Sequence, residues 1–225
     1  MLIPLESDVP LQRWPIANWA LIALTVIISG LPLVGAMDVL FFKQLLLHKE
    51  NFAATQLVSY QFFHAGLVHL IGNMLFLFVF GNAVNARLGH VLYLLAYLAA
   101  GVVSGLVWLL VGRGDYLLGA SGAIMGVLGL FLVYYPKNDV RVGWWILVRV
   151  GSFYMSAIFL MLIYFALDLL GALRGSDAVA YVGHLGGWAT GFAIGCALVA
   201  SGLVPSSADE INLLQLVGLR PRDDR

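Results

Sequence analysis

Long apolar stretches, separated by short clusters of charge and turn residues, divide this chain. The first, 14–37, carries no charge. It is longer than a signal-peptide core and follows a barely basic start, so it is read as a retained helix, with Pro32 bending or ending it. Residues 38–63 mix Asp38, Lys43, His48, Lys49 and Glu50 with Leu and Phe, the pattern of a segment lying in the membrane interface. The charge-free stretch 51–86 exceeds one crossing and predicts a helix from near Phe63 to Arg87. A third span covers 90–112, and Arg113 and Asp115 mark the loop after it. The fourth, 116–136, holds one serine among small residues, about 7 Å below the membrane edge if the helix begins at Tyr116. Pro136 stops it and opens a basic loop with Arg141 and Arg149, in which Trp144 and Trp145 suit a headgroup-level anchor. The fifth span is 150–170, the turn after it carries Arg174 and Asp177, and the sixth is 179–204. The tail is polar, with a weak amphipathic stretch around residues 211–214.

Composition fixes the class. Of 225 residues, 61% are hydrophobic and 11% charged, more apolar surface than a soluble domain of this size could hide. The reading is an all-α membrane protein with six helices: a short N-terminus (1–14), a bundle (15–203) and a tail (204–225). Zero net charge argues against nucleic acid and leaves the lipid bilayer as the medium. The single cysteine, Cys196, lies in an apolar span and reads as a small buried hydrophobe. Six helices place both termini on one side. With an inner N-terminus the inner segments hold eight of the twelve Lys and Arg (Arg13, Arg87, Lys137, Arg141, Arg149, Arg220, Arg222 and Arg225), and the outer ones hold Lys43, Lys49, Arg113 and Arg174. That bias favours cytoplasmic termini.

In this orientation the second, fourth and sixth helices all enter from the outer face, with unusual polar residues in their first turns: His64, His69 and Asn73, then Ser121, then His184. Intramembrane polar groups are expensive and usually face the bundle interior or a water-filled cavity. Gly183, Gly187, Gly191 and Gly195 make a bare stripe on the sixth helix, and Gly122 and Gly126 repeat that spacing on the fourth. Packing the two faces brings His184 towards Ser121, where an imidazole can take the hydroxyl proton. His69 and Asn73, four residues apart, share a helical face and can donate to a developing oxyanion with the Ser121 amide. On a helix His64 would point about 140° away, so it is read as structural, bonding the loop over the site. No His-Glu-x-x-His pair occurs, and no metal is expected. Asp168 is read as an interfacial carboxylate reaching water, over the alternative of a third triad member orienting His184.

These residues resemble the motifs of rhomboid intramembrane serine proteases. His64-x4-His69-x3-Asn73 resembles the family's second-helix motif, Gly119-Ala120-Ser121-Gly122 its nucleophile motif, and His184 with Gly187 and Gly191 its last-helix motif. The resemblance covers residues 15–203 and implies a rhomboid-like bundle with an interfacial first loop. It implies a Ser–His dyad of Ser121 and His184, with an oxyanion hole from His69, Asn73 and the Ser121 amide. His64, Gly119, Gly122, Met125 and Gly187 would support the site, with no cofactor. Transmembrane protein substrates would enter laterally past the fifth helix and be cut near their outer ends. Two positions depart from the family pattern: Met125 replaces an aromatic that stacks on the catalytic histidine, and Thr55-Gln56 replaces a Trp-Arg pair in the first loop. The alternative is a non-catalytic relative that binds, retains or escorts transmembrane segments, although such relatives usually lack the serine or the histidine. A small transporter or channel is disfavoured because the polar path stops halfway. A bacterial plasma membrane is the expected location.

Overall fold

In the computed structural model, residues 2–146, 148–175, 179–205 and 210–220 are described. Asp177, Arg222 and Arg225, used above for the turn and for the charge bias, lie outside them. Among the described residues there are six apolar helices of ten residues or more: α1 (Ile16–Leu33), α2 (Leu67–Leu88), α3 (His90–Val111), α4 (Ser121–Tyr134), α5 (Ala157–Arg174) and α6 (Tyr181–Ser201). Among the described residues α2, α3, α5 and α6 are long and apolar enough to cross a membrane, while the apolar stretch Ile16–Pro32 of α1 and the helix α4 are shorter. The protein is a multi-pass integral membrane protein.

The start of α1, the second half of α2 and the start of α3 are locked by buried polar side chains. Residues 77–81 of α2 form a π-helical turn, which frees a backbone carbonyl from the regular ladder. Asn18 answers it, its Nδ2 donating to the Leu77 carbonyl and to Asn82 Oδ1, each at 2.8 Å. Tyr93 donates to Asn18 Oδ1. The turn from α2 into α3 is one residue, Gly89 at φ +80°, a conformation open to glycine without strain.

Three parts of the pattern fold differently from the expectation. The polar N-terminus is a strand, β1 (Leu2–Ser7). The basic loop is no loop. It forms β4 (Asp139–Ile146) and β5 (Arg149–Ser156), which join β1 in an antiparallel sheet of order β1-β4-β5. Helix α5 accordingly starts at Ala157, not near Val150. Val140 and Val142 are fully buried while Arg141 is exposed, the period-two alternation of a half-buried strand. Trp144 packs on Gly151 within the hairpin, and Trp145 is exposed.

The serine helix also begins later than expected. Tyr116–Leu117 is a strand, β3, pairing with β2 (Leu47–His48) of the first loop. That pairing, anchored by the fully buried Leu47, holds the chain extended until Gly119. Helix α4 therefore starts at Ser121 itself. Its 14 residues span about 21 Å, less than a hydrocarbon core of about 30 Å. Ser121 is therefore preceded by extended chain and not by five helical residues. Likewise α2 begins at Leu67, after Gly66, so His64 precedes the helix.

The remaining expectations for the first loop and the tail have local counterparts. Val39, Leu40 and Phe41 lie exposed on a short helix capped by Asp38, an apolar face open to an interface. In the tail a one-turn helix, Leu213–Leu216, is capped by Asn212, and Glu210 pairs with the buried Arg87.

Candidate active site

Helices α4 and α6 meet where both lack side chains. A Cβ at Gly187 would fall on the Gly122 carbonyl, and one at Gly191 on the Gly126 carbonyl. Gly122 in turn lies against Ser104 of α3. This backbone-to-backbone approach is available only to small residues. It sets His184, in the first turn of α6, beside Ser121, the first residue of α4.

His184 Nε2 lies 2.8 Å from Ser121 Oγ. Its Nδ1 lies 2.9 Å from Asp168 Oδ1. The other carboxylate oxygen of Asp168 accepts the indole N–H of Trp188 at 3.0 Å. A carboxylate at Nδ1 assigns the ring proton to that nitrogen, which leaves Nε2 to accept from the serine hydroxyl. Asp168 thus overturns its expected role as a carboxylate reaching water. It is 7% exposed, as is His184. The reason is helical phase: Asp168 follows Ala157 and Met161, both fully buried, by eleven and seven residues, so it sits on the inward face of α5.

His69 and Asn73 project from one face of α2 into the cavity that Ser121, Met125 and His184 also line, a cleft of about 1020 Å³. The His69 ring rests on Gly119, where a Cβ would come within 3.0 Å of Cε1. Asn73 Nδ2 is buried with no hydrogen-bond partner among the described residues. Ser121, as the first helical residue, leaves its own N–H outside the helix ladder, at the positive end of the α4 dipole.

His64 stands behind His69, rings edge to face at 5.0 Å, and does not line the cavity. Its Nε2 accepts the Ala120 N–H at 3.4 Å, and Nδ1 lies 2.9 Å from Ser29 Oγ, whose hydroxyl donates to the Phe62 carbonyl. Those contacts tie the segment before α2 to the residue before Ser121. Gly119 N–H donates to the Tyr60 carbonyl, and the Tyr60 hydroxyl to the Gly101 carbonyl, extending the tie to α3.

Two side chains supply what the departures from the family pattern lack. Gln56 is 5% exposed. Its amide oxygen accepts from the His48 and Ala53 N–H groups and its NH₂ donates to the Gln44 carbonyl, so the first loop is tethered without a Trp-Arg pair. The aromatic beside His184 is Tyr181, edge to face at 6.1 Å from its own helix, while Met125 lines the cavity one turn after Ser121. Tyr181 and Trp188 both lie within about a turn of His184, a placement that the sequence pattern alone does not single out. Among the described residues no group of three or more His, Cys, Asp or Glu is placed to hold a metal ion.

Residues 51–201 match the family model of the Rhomboid domain. The chain is 33% identical over 145 residues to RHOMBOID-like protein 4 of Arabidopsis thaliana, covering 64% of the chain and 34% of that protein. It is 28% identical over 171 residues to RHOMBOID-like protein 6, mitochondrial, of the same plant (76% and 50%). It is 35% identical over 81 residues to a rhomboid protein of Bacillus subtilis (strain 168) (36% and 41%). The chain spans about a third to a half of the length of the curated relatives it matches. Relatives from an organelle and from a bacterium do not support a bacterial plasma membrane in particular.

Proposed function

The chain belongs to the rhomboid family, and from that premise we propose that it is an intramembrane serine endopeptidase acting on transmembrane segments of membrane proteins. The observation that carries this reading is the 2.8 Å approach of His184 Nε2 to Ser121 Oγ at the wall of an open cavity between apolar helices. Ser121 attacks a peptide carbonyl while its proton passes to Nε2. The Ser121 N–H, Asn73 and His69 lie around the same cavity as donors for the oxyanion. His184 then protonates the leaving amine, and water, deprotonated by the same nitrogen, hydrolyses the acyl-enzyme. The orphan donor on Asn73 fits such a hole, since a buried amide without a partner is costly and gains one when charge develops on substrate oxygen. Substrate helices approach from the bilayer and are cut near their outer ends, with both termini of the enzyme in the cytoplasm.

The test is labelling of the purified protein in detergent by a fluorophosphonate probe. The expected outcome is labelling of the wild type and none of Ser121→Ala or His184→Ala, with all three folded. Absence of labelling in a folded wild type overturns the reading in favour of a binding protein. Labelling that survives Ser121→Ala means another nucleophile.

A further inference from the structure

Proton transfer between Ser121 and His184 makes no direct use of Asp168, yet this carboxylate is buried with both oxygens engaged. A carboxylate inside an apolar bundle is expensive and marks a specific partner. One oxygen sits on the ring nitrogen opposite the one facing the serine. The other is held by an indole N–H one turn further along α6, and that indole is steadied edge to face by Phe165 of α5 at 6.0 Å. Two hydrogen bonds at different oxygens fix the carboxylate plane, and the plane fixes the imidazole.

We propose that Asp168 is the positioning residue of a Ser121–His184–Asp168 triad, held in place by Trp188. This rests on the protease reading. Asp168 keeps the proton on Nδ1, so that the Nε2 lone pair meets the serine hydroxyl, and stabilises the imidazolium formed as Oγ bonds to the carbonyl carbon. The carboxylate stays ionised throughout. The serine proton moves to Nε2 and leaves with the amine when the C–N bond breaks.

The chain's architecture adds a consequence. Ser121 and His184 are on α4 and α6, which are joined backbone to backbone, but Asp168 is on α5. That helix is the least buried of the long apolar helices, 22% of its span against 39% or more for the others. Phe159, Leu162, Leu167 and Leu173 on α5 are all exposed. The triad is complete only while α5 is docked on α6.

The experiment compares wild type, Asp168→Ala, Asp168→Asn and Trp188→Phe, as the full chain in detergent with melting checked for each. Two readouts are taken. The first is the fluorophosphonate rate at saturating probe. It is expected to fall about 10²–10⁴-fold in Asp168→Ala, by the precedent of triad carboxylates, with half-saturating probe concentration unchanged, and to fall less in Trp188→Phe. The second is the proton spectrum of protein carrying ¹⁵N-histidine. A downfield ring N–H signal, assigned by its loss in His184→Ala, is expected in the wild type and lost in Asp168→Ala. Should Asp168→Ala fail to fold, the isosteric Asp168→Asn carries both readouts, with a rate loss and an upfield shift of that signal. A folded Asp168 variant with wild-type rate and an unmoved ring signal overturns the proposal. A wild type that does not label sinks the protease reading alone, because the ring signal still decides the Asp168 contact.

Discussion

Gly119 shows how one residue holds the candidate site together. Its φ of +125° is a conformation that side chains rarely adopt, and it turns the chain from β3 into α4. The His69 ring occupies the space a Cβ would need. Gly119→Ala therefore combines backbone strain, about 1–3 kcal/mol, with displacement of His69. The expected outcome is a lower melting temperature together with slower fluorophosphonate labelling. A variant with wild-type melting and wild-type rate contradicts the geometry. At this scale much of the site was legible in the sequence. Ser121, His184, His69 and Asn73 stood out because polar groups are conspicuous among apolar neighbours, and the structure sets all four around one cavity. Asp168 is conspicuous for the same reason, but a carboxylate near a helix end fits an interfacial role as well, and only its helical phase separates the two. The eleven-residue interval from Ala157 to Asp168, about three helical turns, placed it on the buried face. Tyr181 and Trp188 gave no signal, because aromatics are ordinary in a membrane helix.

At the scale of elements, the glycine contact between α4 and α6 decides the geometry of the Ser121–His184 pair. Gly191 touches the Gly126 carbonyl so closely that a single methyl has no room. Gly191→Ala must push the helices apart, a form of overpacking that costs about 1–3 kcal/mol. The clash is two turns from His184, so the variant is expected to melt earlier and to label more slowly through a lengthened Ser121–His184 approach. Melting unchanged from the wild type would mean that α4 and α6 are not packed through this stripe. The stripe was readable because its four-residue spacing is regular. The β-hairpin is not legible in the pattern, although Val140, Arg141 and Val142 alternate as a strand does, because a basic segment between two apolar spans fits a loop equally well. The start of α4 was misplaced for a related reason. Tyr116 and Leu117 suit a helix or a strand, and the partner of Leu117, Leu47, lies 70 residues away in sequence, beyond the reach of local pattern.

The whole molecule has two unlike ends. The Ser121 end is bordered by the β2–β3 pair and by a hydrogen bond from Arg113 to the Gly175 carbonyl. At the other end the β1-β4-β5 sheet links the start of the chain to the segment between α4 and α5. Charge distinguishes them. Lys137, Arg141 and Arg149 lie on or beside the sheet and Arg87 packs against the tail, while Lys49 and Arg113 bind carbonyls near the site. Positively charged residues are retained on the cytoplasmic side, and on that ground the proposed orientation has the sheet end facing inward and Ser121 opening outward. Single cysteines introduced into a Cys196→Ser background read this directly. Asp115 and Lys137 are both exposed, at opposite ends. Asp115→Cys is expected to react with a membrane-impermeant maleimide in intact cells expressing the protein at their plasma membrane, and Lys137→Cys only after the membrane is permeabilised. The reverse pattern inverts the protein, and with it the prediction that substrates are cut near their outer ends, while leaving the Ser121–His184 geometry untouched.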